Sequence, residues 1–161
     1  MILVLVAQVK NISSVMANSV KHHQAPASAG AAVKLHVAVG VIVRDKHILV
    51  SFRNSKQHQG GKWEFPGGKV EQGESTAQAL GRELHEELGI VTQTAEPFMT
   101  ISHQYPEREV LLDIWLVTQF SGEPAGQEGQ PVQWVSIAGL SELVFPDANQ
   151  PIVERIQQQL A

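Results

Sequence analysis

Residues 68–90, GKVEQGESTAQALGRELHEELGI, constrain this chain more than any other stretch. Ser75 followed three positions later by Gln78 makes a capping box, which predicts a helix beginning near Ser75. Gly89 is placed to end it, because glycine accepts the left-handed backbone that closes a helix. At about 100° per residue, Ala77, Leu80, Leu84 and Leu88 share one stripe, which is expected to bury against the rest of the fold. Glu83, Glu86 and Glu87 then crowd within about 100° of arc along the edge of that stripe. Like charges at i, i+4 cost a helix roughly 0.2–0.5 kcal/mol per pair, and more where water is scarce. The bland account of E-x-x-E-E is a solvated acidic face. The sharper one is a cation site, since clustered carboxylate oxygens suit Mg²⁺ or Mn²⁺.

Size and charge narrow the partners. A chain of 161 residues is expected to form one domain with a proper core. Its formal charge of −4, with no basic run longer than two residues, argues against stable nucleic-acid binding. There are no cysteines, which excludes disulfides, thiolate zinc sites and cysteine nucleophiles. Residues 1–7 (MILVLVA) are apolar but too short to span a bilayer, and they lack the basic start of a secretory signal. A soluble cytoplasmic protein without membrane partners is expected.

Residues 1–34 read as a flexible or poorly packed extension, rich in Ser, Ala, Asn and Gly. His22-His23, without further partners, reads as solvated rather than metal-binding. The domain is expected to span residues 35–161. LHVAVGVIV and HILVSF are apolar, β-branched runs separated by Arg44-Asp45-Lys46, a hairpin. Residues 54–62 form a polar loop leading to Trp63-Glu64-Phe65-Pro66-Gly67-Gly68. Neither Gly-Gly-Lys triplet is a P-loop, because Trp63 and Val70 stand where Ser or Thr is required. Residues 98–103 and 110–120 read as strands, residues 121–130 (SGEPAGQEGQ) as a long flexible loop, and residues 132–135 as a last short strand. Residues 140–143 suggest a helical turn, and residues 151–160 a closing helix with Ile152, Val153, Ile156 and Leu160 on one face.

Gly68, Glu74, Arg82-Glu83, Glu86-Glu87, Gly89 and Ile90 fit the pattern G-x5-E-x7-R-E-U-x-E-E-x-G-U, U being apolar, without a mismatch. On these residues the chain resembles the Nudix hydrolases. The resemblance implies an α/β/α sandwich with a mixed sheet between helices. It also implies a loop–helix–loop that holds divalent metal, Mg²⁺ or Mn²⁺, on a nucleoside diphosphate or triphosphate. VAVGVIV (37–43), WEFPGGK (63–69), GEPAGQEGQP (122–131) and FPDANQP (145–151) extend it towards the MutT branch, which clears oxidised guanine nucleotides. The amino-terminal arm has no counterpart there, which leaves monomer status open, and Trp63 is bulkier than the aliphatic residue expected.

The likeness implies roles position by position. Glu83, Glu86, Glu87 and Glu128 are the catalytic and metal-binding carboxylates, joined by the main-chain carbonyl of Gly67. The general base stays open between a box glutamate and Glu128. Gly68, Glu74, Arg82 and Gly89 are structural, with Arg82 and Glu74 expected to pair. Arg53 and His58 are placed near phosphates and sugar, Glu64, Phe65, Pro66 and Gly67 along the pocket, and Arg108 towards the base. Asn149 becomes the base reader. A side-chain amide can accept from the N7–H of 8-oxoguanine while donating to O6, whereas plain guanine offers an acceptor at N7. The plainer account of Asn149 is a helix cap ahead of Pro151.

The expected activity is therefore Mg²⁺-dependent conversion of 8-oxo-dGTP to 8-oxo-dGMP and pyrophosphate, sanitising the nucleotide pool before DNA replication. Two rivals stay open: a Nudix hydrolase of another nucleotide, such as a pyrimidine triphosphate, and a non-catalytic module that binds an oxidised base.

Overall fold

The computed structural model describes residues 33–56, 60–104, 106 and 108–161. Expectations for residues 1–32 and for His58 lie outside the described residues. β1 (Val33–Arg44) turns through Asp45 and Lys46 into β2 (His47–Phe52). Both turn residues have positive φ, 50° and 60°, the geometry that a two-residue hairpin requires. β3 (Trp63–Glu64) and β4 (Gly67–Lys69) precede α1 (Thr76–Leu88). β5 (Val91–Gln104), β6 (Arg108–Ser121) and β7 (Val132–Ser136) follow it. Two 3₁₀ turns, Ala138–Glu142 and Asp147–Asn149, lead into α2 (Gln150–Leu160). The sheet order is β3-β2-β1-β6-β5, with β4 added on β1 and β7 on β2. β1 and β6 run parallel, and the other pairs are antiparallel.

Alternation along β1 divides the core into two layers. Val37, Val39 and Val41 join Ile48, Val50 and Ile114 against Ile152, Val153 and Ile156 of α2. Ala38 and Ile42 point the other way and pack with Leu49, Val117 and Leu80, Leu84 and Leu88 of α1. This is the sandwich of helices around a mixed sheet that the sequence predicts. Gly40 sets how closely α1 can approach, since a Cβ there would lie 3.3 Å from Leu80 and Leu84.

The capping box is present. The Gln78 N–H donates to Ser75 Oγ at 3.2 Å, and the Ser75 N–H donates to Gln78 Oε1 at 2.8 Å. Gly89 closes the helix at φ 72°, its N–H donating to His85 O at 2.9 Å. One expectation fails here: Ala77 is exposed, and the buried set is Ala79, Leu80, Glu83, Leu84, Glu87 and Leu88. The buried arc extends past the leucines on the glutamate side as far as Ala79, while Ala77, between Leu84 and Leu88 in angle, is exposed because it sits in the first turn of the helix. Glu83 and Glu87 therefore lie within the seam rather than along its edge.

Residues 121–130 are also not the flexible loop expected. The Ala125 N–H donates to Leu88 O at 3.1 Å and the Gln127 N–H to Glu87 O at 3.0 Å. Glu123 accepts a bidentate pair from Arg44 at 2.9 and 3.0 Å. The first two bonds arise because the last carbonyls of a helix need donors from outside it, and the third ties the start of the loop to β1.

Leu84 is fully buried between α1 and the sheet. Leu84→Ala is expected to lower unfolding free energy by about 2–5 kcal/mol, measured by chemical denaturation. A loss under about 1 kcal/mol would contradict this packing.

Candidate active site

Two carboxylates lie in the helix–sheet seam, where Glu83 is 4% exposed and Glu87 6%. β4 brings the backbone to them. It pairs with β1 from Val37↔Lys69 to Val39↔Gly67, flanked by Gly40 N–H to Pro66 O at 2.8 Å and Val70 N–H to His36 O at 2.9 Å. A Cβ on Gly67 would collide with the Ala38 carbonyl, and one on Gly68 with the Glu83 carboxylate. Glycine at both positions is thus a requirement of space. The Gly67 N–H donates to Glu87 Oε2 at 3.2 Å.

Arg82 braces the approach to the helix. Its Nε and Nη2 donate to Glu74 at 2.7 and 2.9 Å, its Nη1 to Glu83 Oε1 at 2.8 Å, and its Nη2 to Lys69 O at 3.0 Å. The Glu74–Arg82 pair is the one the box predicts. The Arg82 hydrogen bonds hold the Glu74 carboxyl down at about 2. Burial pushes Glu83 up, against the opposing hydrogen bond from Arg82. Burial pushes Glu87 further, to about 8, with the charges of Glu83 and Glu64 adding to the rise and the Gly67 N–H opposing it.

Glu83 Oε2 and Glu87 Oε1 are buried without a hydrogen-bond partner. Buried oxygens of this kind are costly unless something positive meets them, which fits the donor set of a hard divalent cation. Glu86, with its side chain 55% exposed, stands outside the seam, 3.6 Å from Arg82 Nη1. Among the described residues, no three His, Asp or Glu side chains converge closely enough to hold a metal ion by themselves. Mg²⁺ commonly keeps waters and substrate phosphate oxygens in its shell, so an incomplete protein cage suits it.

A cleft of about 510 Å³ opens beside Glu87, lined also by Ser51, Arg53, Glu64, Glu128 and Gln130. Arg53 is 4% exposed, and its three guanidinium nitrogens make no hydrogen bond, although Nη1 lies 3.6 Å from Glu64 Oε2. Arg53, Glu64, Glu87 and Glu128, scattered in sequence, are thereby brought to one place. Phe65 is fully buried and stacks on Phe145, ring centroids 5.2 Å apart, and Pro66 is buried beside it in sequence.

Five predicted substrate residues do not line that cleft: Phe65, Pro66 and Gly67, which pack beside it, and Arg108 and Asn149. Arg108 opens β6 opposite Val33 of β1, and Asn149 ends the second 3₁₀ turn, 3% exposed. Asn149 stands at the N-cap position of α2, as the plainer account expects, but makes no side-chain cap hydrogen bond there. Trp63 meets Phe52 edge-on at 5.0 Å, so its bulk is absorbed by packing. Sequence reasoning missed Gln130, whose side chain bonds both to the Glu128 N–H at 2.9 Å and to Glu87 O at 3.0 Å. A glutamine in a Gly-rich loop carries no signal of this.

Comparison with known proteins agrees with this geometry. A family model described as NUDIX domain matches residues 38–155. The 8-oxo-dGTP diphosphatase of Escherichia coli (strain K12) is 42% identical over 126 residues, covering 78% of this chain and 98% of its own. The CTP pyrophosphohydrolase of the same organism is 37% identical over 120 residues, covering 74% and 89%. A solved structure from a study of MutT of Aliivibrio salmonicida and Vibrio cholerae superposes with a TM-score of 0.71 at 40% identity, covering 79% of this chain and 99% of that one.

The raised Glu87 carboxyl makes metal-free stability depend on pH. Between the usual glutamate range and about 8, the folded state holds a proton that the unfolded state has released, so rising pH favours unfolding. The denaturation midpoint of metal-free protein is expected to fall between about pH 5 and pH 8, and Glu87→Gln to flatten that slope. An equal slope in the variant would contradict the assignment.

Proposed function

The chain belongs to the Nudix family, and from that premise we propose that it is an 8-oxo-dGTP diphosphatase, releasing 8-oxo-dGMP and pyrophosphate. The observation that carries this reading is the meeting of opposite charges at one cleft. Glu87 brings a carboxylate oxygen without a partner, and Arg53 brings a guanidinium without a hydrogen bond. Such a pair of demands is met by a polyphosphate together with a divalent cation.

Glu83, Glu86 and Glu87 would hold that cation with the Gly67 carbonyl and Glu128. When bound, Mg²⁺, or Mn²⁺ in its place, supplies positive charge to phosphate oxygens and a more acidic water. Arg53 and His58 would hold the phosphates and sugar, and Glu64 lines the same cleft. By family resemblance, water attacks the β-phosphorus in line, its proton passing to a carboxylate at the cleft. Arg82 and Glu74 act from behind, fixing Glu83 and the loop.

Asn149 reads the base by accepting from N7–H and donating to O6, with Arg108 reaching in the same direction. Its burial without a capping bond supports that role, because its amide is not committed to α2. A site built around such a hydrogen bond rejects the analogue lacking it by ~10⁴–10⁵. The protein would act in the cytoplasm as a monomer, removing oxidised guanine nucleotides before they enter DNA. Among the described residues no helix is long and apolar enough to cross a membrane.

The CTP pyrophosphohydrolase relative makes a pyrimidine triphosphate the rival substrate. Product analysis over dGTP, 8-oxo-dGTP and CTP, with and without Mg²⁺, separates the two. The expected result is Mg²⁺-dependent pyrophosphate release with 8-oxo-dGTP favoured over dGTP by a ratio approaching ~10⁴, and Asn149→Ala bringing that ratio down by at least ~10². Equal turnover of dGTP and 8-oxo-dGTP at low substrate, or a preference for CTP, would contradict it. Glu87→Gln is expected to fold normally and lose at least ~10² in kcat, and full activity would count against the metal assignment.

A further inference from the structure

The helix that carries Glu83, Glu86 and Glu87 ends in carbonyls that no residue of the helix can satisfy. The loop between β6 and β7 supplies their donors. Leu88 O accepts from the Ala125 N–H at 3.1 Å, and Glu87 O accepts twice, from the Gln127 N–H and from Gln130 Nε2, each at 3.0 Å. The other end of the Gln130 amide is also engaged, because its Oε1 accepts the Glu128 N–H at 2.9 Å. One planar group thus joins the backbone of Glu87 to the backbone of Glu128.

The loop is shaped to allow this. Gly129 turns at φ 78°, with its N–H donating to Gly126 O at 3.2 Å. The chain then folds back so closely that a Cβ on Gly126 would collide with the Gln130 carbonyl and stand 2.9 Å from Gln130 Oε1. Gly126 has no positive φ, so lack of space alone excludes a side chain there. Glu128 itself is exposed at the rim of the cleft. Its placement at the cleft is a property of its backbone.

We infer that Gln130 is a positioning residue that holds Glu128 at a fixed distance from Glu87, so that loop and helix carboxylates form one site. The inference rests on the reading of Glu128 as a working carboxylate of the hydrolase. A misplacement of about 1 Å at a reacting group can cost ~10² in rate, so a single amide bridge suffices to matter. Gln130→Ala breaks both bonds. Gly126→Ala keeps the glutamine but displaces it.

The test combines hydrogen exchange with a double-mutant cycle on the full chain. In metal-free protein, the Glu128 amide is expected to exchange at least ~10-fold faster in Gln130→Ala than in wild type, while amides of β1 keep their protection. With 8-oxo-dGTP and Mg²⁺, Gln130→Ala and Gly126→Ala should each lose ~10- to 10²-fold in kcat at unchanged KM. Glu128→Gln should lose at least as much, and Gln130→Ala added to it should cost nothing further. Unchanged exchange at Glu128, an effect confined to KM, or additive losses in the double variant would overturn the inference, the last two by making Gln130 a direct substrate contact. Impaired Glu128→Gln beside an unimpaired Gln130→Ala overturns the inference alone. A fully active Glu128→Gln overturns the reading of Glu128, and this inference with it.

Discussion

Two glutamates share a seam that the fold otherwise fills with leucine. Glu83 and Glu87 interrupt the packing of Leu80, Leu84 and Leu88 against the sheet, and each keeps a buried oxygen without a partner. Burying carboxylates costs several kcal/mol each when nothing positive meets them. Much of the neighbouring sequence follows from that constraint. Gly68 leaves room for the Glu83 carboxylate, the Gly67 N–H is turned onto Glu87, and Arg82 reaches one oxygen of Glu83 while anchored by Glu74. The remaining imbalance is the site's capacity for a cation.

The rest of the architecture holds that seam still. β1 carries α1 on one face and α2 on the other, so the acidic helix rests on a sheet supported from behind. β4 adds to β1 where the box glycines pass, and the loop after β6 closes the far end of the helix. Rigid elements therefore fix the carboxylates, and only Glu128 depends on a loop. Arg53 arrives from the end of β2, its position set by β2 pairing with β3 and β7. Groups remote in sequence meet because the sheet order returns β2, α1 and the β6–β7 loop to one edge.

Local chemistry made part of this readable from residues alone. The capping box at Ser75 and the stop at Gly89 depend on neighbours within a turn, and both are present. The β1–β2 hairpin was equally plain, because alternation and a short polar turn are local signals. Tertiary pairing hid the rest. β5 begins at Val91, well before the expected residue 98, since pairing with the long β6 draws in a mostly polar segment that includes Pro97. Pro97 is accommodated because β5 is an edge strand with a register shift there. Glu83 shows the same limit, since 3.6-residue periodicity gives a stripe but not how far the buried arc extends beyond it. Residues 121–130 looked flexible because Gly, Pro and Gln say nothing about waiting carbonyls elsewhere.

Cation binding by the nucleotide-free protein, followed as proton release, tests the central claim most directly. Glu87 is pushed up to about 8 by burial, so at neutral pH it should hold a proton that a divalent ion must expel. Titrating Mn²⁺ in two buffers of different ionisation enthalpy near pH 7 is expected to show about one proton released per ion bound, and Glu87→Gln to release almost none. Binding of Mn²⁺ with no proton released, or the same release from Glu87→Gln, would contradict the account.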